Sequence, residues 1–434
     1  MKPIARRSFL KQASAAAAGA TTTAWSLPAL GAAGANERIT VGVVGCSRGT
    51  RDAQDLATNG AKIAYVCDPD EARMNRAKQQ LKADRAVTDL RRILDDKAVD
   101  AVVVAAPDHW HAPATILACE AGKHVYVEKP CCHNIREGRL MIEVARRTRR
   151  VVQVGSQSRS TTVLKGAIQL LREGAIGDIL VAKAWNSQRR GNIGHKKPSK
   201  PPAGFDYDLW VGPAPMRPYQ SNCHHYTWHW WYDFGTGDAG NDGVHEMDIA
   251  IWGLDIQTHP VRASGQGGKL HFDDDQQFPD TQYVTFEYAG DGKPGRQPVV
   301  VYEHRIWSPY VLEGLEDGNA FYGTKGYMIL GKRVGWKLYG EKNKLLQEVK
   351  GKYSTPEHTK DFLDAIRSPK RPNADIEIGH RSSTLVHLAN ILARSNRGTL
   401  AFDPKTEQIV GDAEANALTK RRYRQGHWAV PRGV

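Results

Sequence analysis

One short segment in the first part of the chain carries residue types that suit nucleotide binding. Gly45-Cys46-Ser47-Arg48-Gly49 lies between a predicted strand and a predicted helix, where glycines let the backbone approach a pyrophosphate at a helix N-terminus. The spacing departs from G-x-G-x-x-G, because a serine stands where the middle glycine would be. The same residues also fit G-x-S-x-G, the nucleophile elbow of serine hydrolases. The loop alone therefore leaves dinucleotide binding and acyl transfer both open.

The end of the second predicted strand favours dinucleotide binding. Asp68 stands there, and a carboxylate at this position accepts hydrogen bonds from the ribose hydroxyls of adenosine and repels a 2′-phosphate. A simple Asp-Pro turn is the alternative. A hydrolase elbow on the first strand would also lack the preceding strands that frame its oxyanion hole. Together the loop and Asp68 predict NAD as cofactor, with NADP possible.

Two further positions could move protons. Lys129 follows the fourth predicted strand in Glu128-Lys129-Pro130, and a lysine at the carboxyl edge of a parallel sheet points into the ligand crevice, where desolvation can tune its pKa. Asn241 and His245 open a predicted helix four residues apart and share one face. A histidine there can exchange a hydroxyl proton near neutral pH. The alternatives are a solvated lysine, and helix capping beside a structural histidine.

A segment rich in histidine and tryptophan raises the question of a metal site. His225 and His229 have i, i+4 spacing, but the sequence holds no HExxH, and interleaved aromatic and polar side chains suit a sugar-binding wall. The acidic run 273–275 is interpreted as a solvated turn rather than a calcium loop. We predict no metal.

The elements that would position these residues fall into two patterns. Short apolar strands alternate with helices in the first part, which predicts a parallel sheet covered on both faces; the strands are 39–45, 61–67, 101–106, 124–127 and 150–154. After about residue 158, alternating strands predict a larger, mostly antiparallel sheet at 179–186, 282–288, 299–305, 327–330, 335–339 and 345–349. Later helices are predicted at 357–366 and 380–395.

Composition and charge restrict the class of protein. The chain has 434 residues, 41% hydrophobic and 25% charged, which is a globular balance. Its net charge of +13 comes from bases spread along the chain without a nucleic-acid motif, so we predict solvated faces and no nucleic-acid partner. The six cysteines are interpreted as buried thiols.

The first residues have the pattern of an export signal. Arg6-Arg7 begins a twin-arginine signature, a mildly apolar alanine-rich stretch follows, and Ala33-Gly34-Ala35 resembles a cleavage site. A basic helix or a lipid-surface anchor is the alternative. We predict export to the periplasm in the folded state, with the cofactor already bound and without stable membrane insertion.

Several segments together resemble a known family. The chain is similar to the glucose-fructose oxidoreductase, inositol dehydrogenase and rhizopine-catabolism (Gfo/Idh/MocA) family over nearly its whole length after the signal. The segments are 106–112 (APDHWHA), 120–125 (EAGKHV), 128–130 (EKP), 208–215 (DLWVGPAP), 237–253 and 321–327 (FYGTKGY).

The resemblance implies an architecture. It predicts an α/β Rossmann domain with a parallel sheet, then an α+β domain with a large open-faced, mostly antiparallel sheet that binds substrate and self-associates. The predicted boundaries are a signal at 1–35, the NAD-binding domain at 36–158 and the substrate domain at 159–434. The resemblance also implies a homodimer or homotetramer.

The resemblance assigns roles as well. Lys129 would orient the reacting hydroxyl, His245 would be the acid/base, and Asn241 stands where the family's dehydrogenases often carry aspartate. The predicted reaction is oxidation or reduction of a ring hydroxyl or ketone of a sugar, sugar derivative or cyclitol. A glycosidase that oxidises its sugar transiently, and a non-catalytic sugar or nucleotide sensor, are the alternatives. The residues expected to bind cofactor are Gly45, Ser47, Arg48, Gly49, Asp68, Pro107, His111, Glu128 and Lys129; those expected at the substrate are Arg159, Trp185, Tyr226, Trp230 and His245.

Overall fold

A six-stranded parallel sheet forms from the first part of the chain. The computed structural model describes residues 38–290, 297–308 and 310–434, so the predicted export signal lies outside the described residues. Every pairing in this sheet is parallel and the strand order is β3-β2-β1-β4-β5-β6. The strands are β1 (Thr40–Val44), β2 (Lys62–Cys67), β3 (Arg85–Val87), β4 (Ala101–Val104), β5 (His124–Val127) and β6 (Val152–Val154).

Helices connect these strands. They are α1 (Arg48–Thr58), α2 (Glu71–Leu81), α3 (Arg91–Leu94), α4 (Asp108–Glu120) and α5 (Ile135–Thr148). Pro113 lies inside helix α4. A proline there cannot donate to the carbonyl four residues earlier. Arg421, far along the chain, donates to that carbonyl of His109 at 2.7 Å instead, which satisfies the group that the proline leaves free.

A ten-stranded sheet follows. Its order is β14-β13-β12-β11-β7-β10-β9-β8-β15-β16, and only the β7–β10 pairing is parallel. The strands are β7 (Ile179–Asn186), β8 (Arg262–Gly268), β9 (Thr281–Glu287), β10 (Val299–Arg305), β11 (Asp317–Gly323), β12 (Gly326–Gly331), β13 (Gly335–Tyr339), β14 (Leu345–Lys350), β15 (Thr399–Asp403) and β16 (Gln408–Val410). The predicted fold class is thereby confirmed.

The remaining helices are α6 (Thr162–Arg172), α7 (Tyr207–Val211), α8 (Val244–Gly253), α9 (Thr355–Arg367), α10 (Ile376–Arg394) and α11 (Ala413–Ala417). Helices α8 and α10 pack with the second sheet in one apolar core, which contains Met247 and Leu385. Helix α10 begins earlier than predicted, since Asp375 caps it by accepting from the Glu377 amide at 3.1 Å. Among the described residues, no helix has both the length and the apolar character needed to span a membrane.

Late segments of the chain contribute to the apolar clusters of the first sheet. Phe362 and Leu363 of α9 pack in an apolar cluster with strand β1, and Ile376 and Ala429 pack in a second cluster beneath the first sheet. Buried Arg421 also forms an ion pair with Glu137 of α5. Late segments of the chain therefore complete the packing of the first sheet, and the predicted boundary at residue 158 stays a prediction.

Candidate active site

A cavity of about 440 Å³ lies at the carboxyl ends of the parallel strands, the usual ligand position in an open α/β sheet. Gly45 follows β1, Asp68 follows β2, Pro107 follows β4 and Glu128 follows β5, and all four line it. The predicted site residues that line this cavity are Gly45, Ser47, Arg48, Asp68, Pro107, His111, Glu128, Lys129, Tyr226, Asn241 and His245.

The loop after β1 is shaped to let backbone approach a ligand. Gly45 has a φ of +95°, and a Cβ there would lie 2.4 Å from the carbonyl oxygen of Ala105. Helix α1 begins three residues later at Arg48, which lines the cavity, so the N-terminal end of the helix lies beside it. Gly49 does not line the cavity; a Cβ on it would lie 3.0 Å from Val43 Cγ1. Its role is close packing of the helix on the sheet, and the remaining loop suits a pyrophosphate.

The carboxylate of Asp68 is fixed by this loop. Its two oxygens accept from the amides of Cys46 at 2.8 Å and Asp70 at 3.0 Å. Burial raises the pKa of Asp68. Each oxygen keeps a further lone pair, so the carboxylate can accept from two ribose hydroxyls as the sequence predicts. Arg73 also lines the cavity, a residue that sequence reasoning missed.

Charges beside the loop form a network. Arg48 contacts Asp52 at 3.0 Å and Glu128 at 3.4 Å. Burial alone would lower the pKa of the Arg48 guanidinium, but these two carboxylates raise it. Glu128 also accepts from Gln157 Nε2 at 3.0 Å and from the Lys129 amide at 3.2 Å. The network holds the Arg48 guanidinium next to the expected pyrophosphate position. It also fixes Glu128, the residue just before Lys129.

The side chain of Lys129 reaches the second part of the molecule. Its Nζ donates to the backbone oxygen of Asn241 at 2.5 Å. The Asn241 amide in turn donates to the hydroxyl of Tyr226 at 3.0 Å and to Asp238 at 3.1 Å. The structure thus brings the predicted lysine, amide and tyrosine together at one place in the cavity.

His245 is placed so that its imidazole is available. It lies in the first turn of α8, it lines the cavity, and no described residue forms a hydrogen bond with its ring. Burial, together with Lys332 and Lys129, holds the pKa of His245 well below its usual value. A neutral imidazole with free nitrogens in a ligand cavity can accept a proton from a hydroxyl group.

The turn before α8 departs from the sequence expectation. A regular α-helix would place Asp242 about 100° away from Asn241, but residues Ala239–Gly243 form a π-helical turn, a feature common at functional sites. Asn241, Asp242 and His245 all line the cavity. Asp242 pairs with Arg190; burial alone would raise the pKa of Asp242, but Lys332 and Arg190 lower it well below its usual range.

The structure does not bring three predicted substrate residues to this cavity. Arg159 is held by the carboxylate of Asp248 at 2.8 Å. Trp185 is fully buried and its indole nitrogen donates to Leu315 at 3.0 Å. Trp230 packs in a separate apolar cluster. Their residue types suited a sugar, but apolar packing and ion pairing use these side chains elsewhere.

The region between β7 and α8 covers the end of the cavity next to Asp68. Glu71 donates its amide to Gly204 at 2.9 Å and Asp206 donates to Pro69 at 2.9 Å. His225 lies 2.7 Å from the Asp70 carboxylate. The cavity residues that sequence reasoning missed here and elsewhere include Arg51, Leu90, Asp108, Gln188, Leu209, Trp210, Trp228, Lys332, Arg333, Tyr353 and Trp428. Only the tryptophan-rich composition was a signal for some of them.

Two further groups of histidines bear on metal binding: His229 belongs to the cavity lining, whereas His259 and His380 lie away from it. Burial lowers the pKa of His229 to about 3, and its ring stacks on Trp228 with centroids 3.6 Å apart. His259 and His380 both lie within 3.0 Å of Glu407 Oε1, close enough to hold a metal ion. Arg139 pairs with the same carboxylate oxygen, so a cation of the protein already contacts the position that a metal would need.

Sequence comparisons place these features among known proteins. A family described as "Oxidoreductase family, NAD-binding Rossmann fold" (Gfo/Idh/MocA) matches residues 39–156. Its partner, "Oxidoreductase family, C-terminal alpha/beta domain", matches residues 180–293 and 331–430. Together the two matches cover well over half of the chain.

Individual proteins are similar at lower identity. Inositol 2-dehydrogenase 2 of Saccharopolyspora erythraea is 28% identical over 57% of this chain and 63% of its own length. The scyllo-inositol 2-dehydrogenase (NAD(+)) of Bacillus subtilis is 28% identical over 66% of this chain and 74% of its own length. The structure of a levoglucosan dehydrogenase in complex with NADH and levoglucosan superposes with a TM-score of 0.65 at 17% identity, over 84% of this chain and 99% of the other. That last likeness shows the fold.

Proposed function

Because the chain belongs to the Gfo/Idh/MocA oxidoreductase family, we propose that it oxidises or reduces a ring hydroxyl or ketone of a sugar, sugar derivative or cyclitol. The family assigns NAD as the cofactor of the Rossmann domain. One observation carries the proposal: the free imidazole of His245 and the ammonium of Lys129 line the same cavity as the glycine loop. A nucleotide position and two proton-handling groups thereby share one space.

The chain's own residues divide the work of holding the cofactor. The amides at the start of α1 and the cation of Arg48 would take the pyrophosphate, and Asp68 would accept from the adenosine ribose. Pro107 and His111 would flank the nicotinamide; the His111 ring nitrogens lie 2.6 Å and 2.8 Å from backbone carbonyls, which fixes that wall. NAD(H), when bound, accepts or supplies the hydride.

Proton transfer falls to the second group of residues. Lys129 would bond the reacting hydroxyl and orient it, and His245 would remove or return its proton. Asn241 contributes its backbone oxygen to the lysine and its amide to Tyr226, so it positions both. Tyr226 itself lines the cavity and is half exposed, at 50%, which leaves its ring available to the substrate.

The depressed pKa of His245 predicts an unusual pH profile. An ordinary histidine base loses activity as pH falls through about 6.5, because it becomes protonated. Since the pKa of His245 lies well below that value, we expect kcat/KM for sugar oxidation to show no ionisation from this residue near pH 6.5. Steady-state rates from pH 8 to pH 5 (about the range that spans this ionisation) would test this.

Exposed His195, whose side chain is 62% accessible, provides the control for that measurement. His195→Gln should leave both the rate and its pH profile unchanged. A limb near pH 6.5 in the parent enzyme that disappears in His245→Gln would contradict the expected depression of the pKa.

The choice between NAD and NADP should depend on one carboxylate. Replacing Asp68 by serine removes the acceptor for the ribose hydroxyls and the charge that repels a 2′-phosphate, while Arg73 stays nearby. We expect the variant to lose roughly tenfold or more of its preference for NAD over NADP, a change of at least about 1.4 kcal/mol. Titration of the two nucleotides measures it. Asp84→Ser, at an exposed ion pair with Lys62, should leave the preference unchanged.

The decisive experiment begins with protein purified without added cofactor. Denaturation and mass analysis would identify any bound dinucleotide, and a panel of sugars, cyclitols and glycosides would follow. Bound NAD(H) with substrate-dependent change in absorbance supports the proposal. Free sugar released from glycosides without net NADH would point to the transient-oxidation glycosidase, and failure to bind either nucleotide would point to the sensor.

Export and assembly are further parts of this proposal. The twin-arginine pair Arg6-Arg7 supports translocation of a folded, cofactor-bound enzyme to the periplasm, which cell fractionation of a lysine-pair variant would check.

Exposed apolar side chains on β7, β9 and β11, namely Leu180, Tyr283 and Tyr322, support a homodimer or homotetramer. Light scattering gives the mass.

A further inference from the structure

A second cavity, of about 240 Å³, lies away from the active-site cavity and shares no lining residue with it. It forms where α6, the end of α8 and the start of α10 meet. Its lining contains no acidic residue and consists of Arg159, Lys165, Arg172, Ile251, Trp252, Ile256, Gln257, Asn373, Ile378 and Arg381. Four of these ten side chains are cationic, which raises the question of what balances their charge.

Two of the four cations have partners in the protein. Arg159 Nε lies 2.8 Å from Asp248, and Nη2 donates to the same carboxylate at 2.9 Å. Arg172 Nη2 donates to Asp255 at 2.6 Å. These two pairs neutralise half of the positive charge around the cavity.

The other two cations have none among the described residues. No carboxylate there lies within ion-pair distance of Lys165 or Arg381. Arg381 is half buried and donates only to uncharged acceptors, the oxygens of Ile256 at 3.3 Å and Gln257 at 2.7 Å and the Glu377 carbonyl at 3.4 Å. Burial lowers the pKa of Arg381, with Arg159 acting in the same direction and the nearby carboxylate of Glu377 opposing it. The Arg381 guanidinium is thus partly withdrawn from water without a carboxylate in direct contact, and an anion in the cavity would provide that contact.

The remaining lining residues indicate the chemical class of the anion. Ile251, Ile256 and Ile378 provide apolar surface, and the Trp252 ring lies 5.2 Å from the guanidinium carbon of Arg159. The cavity is also larger than a single oxyanion requires, since one water takes about 30 Å³. Cationic and apolar side chains lining one cavity suit an oxyanion attached to a short carbon skeleton.

We propose that this cavity binds a small organic anion bearing a phosphate or carboxylate group, with Arg381 and Lys165 as its charged contacts. A planar guanidinium bonds either group in two places. The site is independent of the proposed redox reaction and stands or falls without it.

Calorimetry on the purified holoenzyme in low-salt buffer tests the proposal. Glycerol 3-phosphate and citrate serve as probes, one for each oxyanion class. We expect one of them to bind with a stoichiometry of one per chain, and Arg381→Gln with Lys165→Gln to weaken it by about tenfold or more. Arg367→Gln removes an exposed arginine of α9 and should leave the affinity unchanged. Circular dichroism confirms that each variant is folded.

Fluorescence locates the bound probe. Binding beside Trp252 should change the tryptophan emission of the parent enzyme, and Trp252→Phe should remove that change while binding persists. The proposal is overturned if neither probe binds at millimolar concentration. It is equally overturned if binding survives the double substitution, since the anion would then occupy another site such as the active-site cavity.

Discussion

Lys129→Ala is expected to lower kcat/KM by about 10²- to 10⁴-fold while the dinucleotide content of the purified enzyme stays the same. The Lys129 ammonium lies at the centre of the polar contacts in the cavity, 2.5 Å from the Asn241 oxygen. Alanine removes the donor that would orient the reacting hydroxyl. The groups expected to hold the nucleotide, the loop at Gly45 and the carboxylate of Asp68, are left in place. Steady-state rates with the sugar found by screening, together with nucleotide release after denaturation, measure both quantities.

Two controls separate this role from a general loss of charge. Lys62→Ala removes an exposed ammonium that pairs with Asp84 at 2.7 Å and should leave the rate unchanged. Lys129→Arg keeps the charge but replaces a compact ammonium by a planar fork, so it should restore little activity. Retained turnover in Lys129→Ala would refute the role in proton handling. Loss of the nucleotide in that variant would reassign the lysine to cofactor binding.

Asp248→Ala is expected to lower the free energy of unfolding by about 3–5 kcal/mol. Its carboxylate is 1% exposed and faces a guanidinium that is 9% exposed, so removing it leaves a buried cation without its partner. Asp248 lies in α8, one turn after His245, and the local disturbance should reduce activity as well. Urea unfolding of the holoenzyme measures the change.

The same pair of residue types occurs at the surface and provides a matched comparison. Arg172 and Asp255 are 45% and 60% exposed, and exposed ion pairs contribute only about 0–1 kcal/mol. Asp255→Ala should therefore have a small effect. If Asp248→Ala cost no more than Asp255→Ala, the buried pair would not stabilise the fold as its burial implies.

Five of the six strands of the first sheet could be predicted from the sequence because they are buried on both faces. Val41 and Val43 are fully buried, and such runs stand out between helices. Strand β3, a partly exposed strand of three residues at the edge of the sheet, was not predicted. Strand β8 was missed because its sequence, RASGQGG, has almost no apolar alternation. Strand β11, DGNAFYG, was missed for the same reason. Both lie in the interior of the second sheet, where pairing on two sides compensates for weak local preference.

The site could be predicted where sheet topology alone brings residues together. The ends of parallel strands meet at one edge, so Gly45, Asp68 and Lys129 were found. The covering segment with Trp210 was not found, because contacts between distant loops leave no periodic pattern. The π-helical turn was not predicted either, because the sequence analysis assumed a regular α-helix when it placed Asn241 and His245 on one face.

The packing of late segments onto the first sheet has a consequence for synthesis. A nascent chain that has emerged as far as residue 158 contains all six strands of that sheet but none of Phe362, Ile376 or Ala429, which pack in its clusters. The carbonyl oxygen of His109 likewise lacks its hydrogen-bond donor until Arg421 has been synthesised. The part of the protein that is translated first is therefore among the last to reach its final packing, and a ribosome-bound intermediate must keep exposed apolar surface until translation is nearly complete.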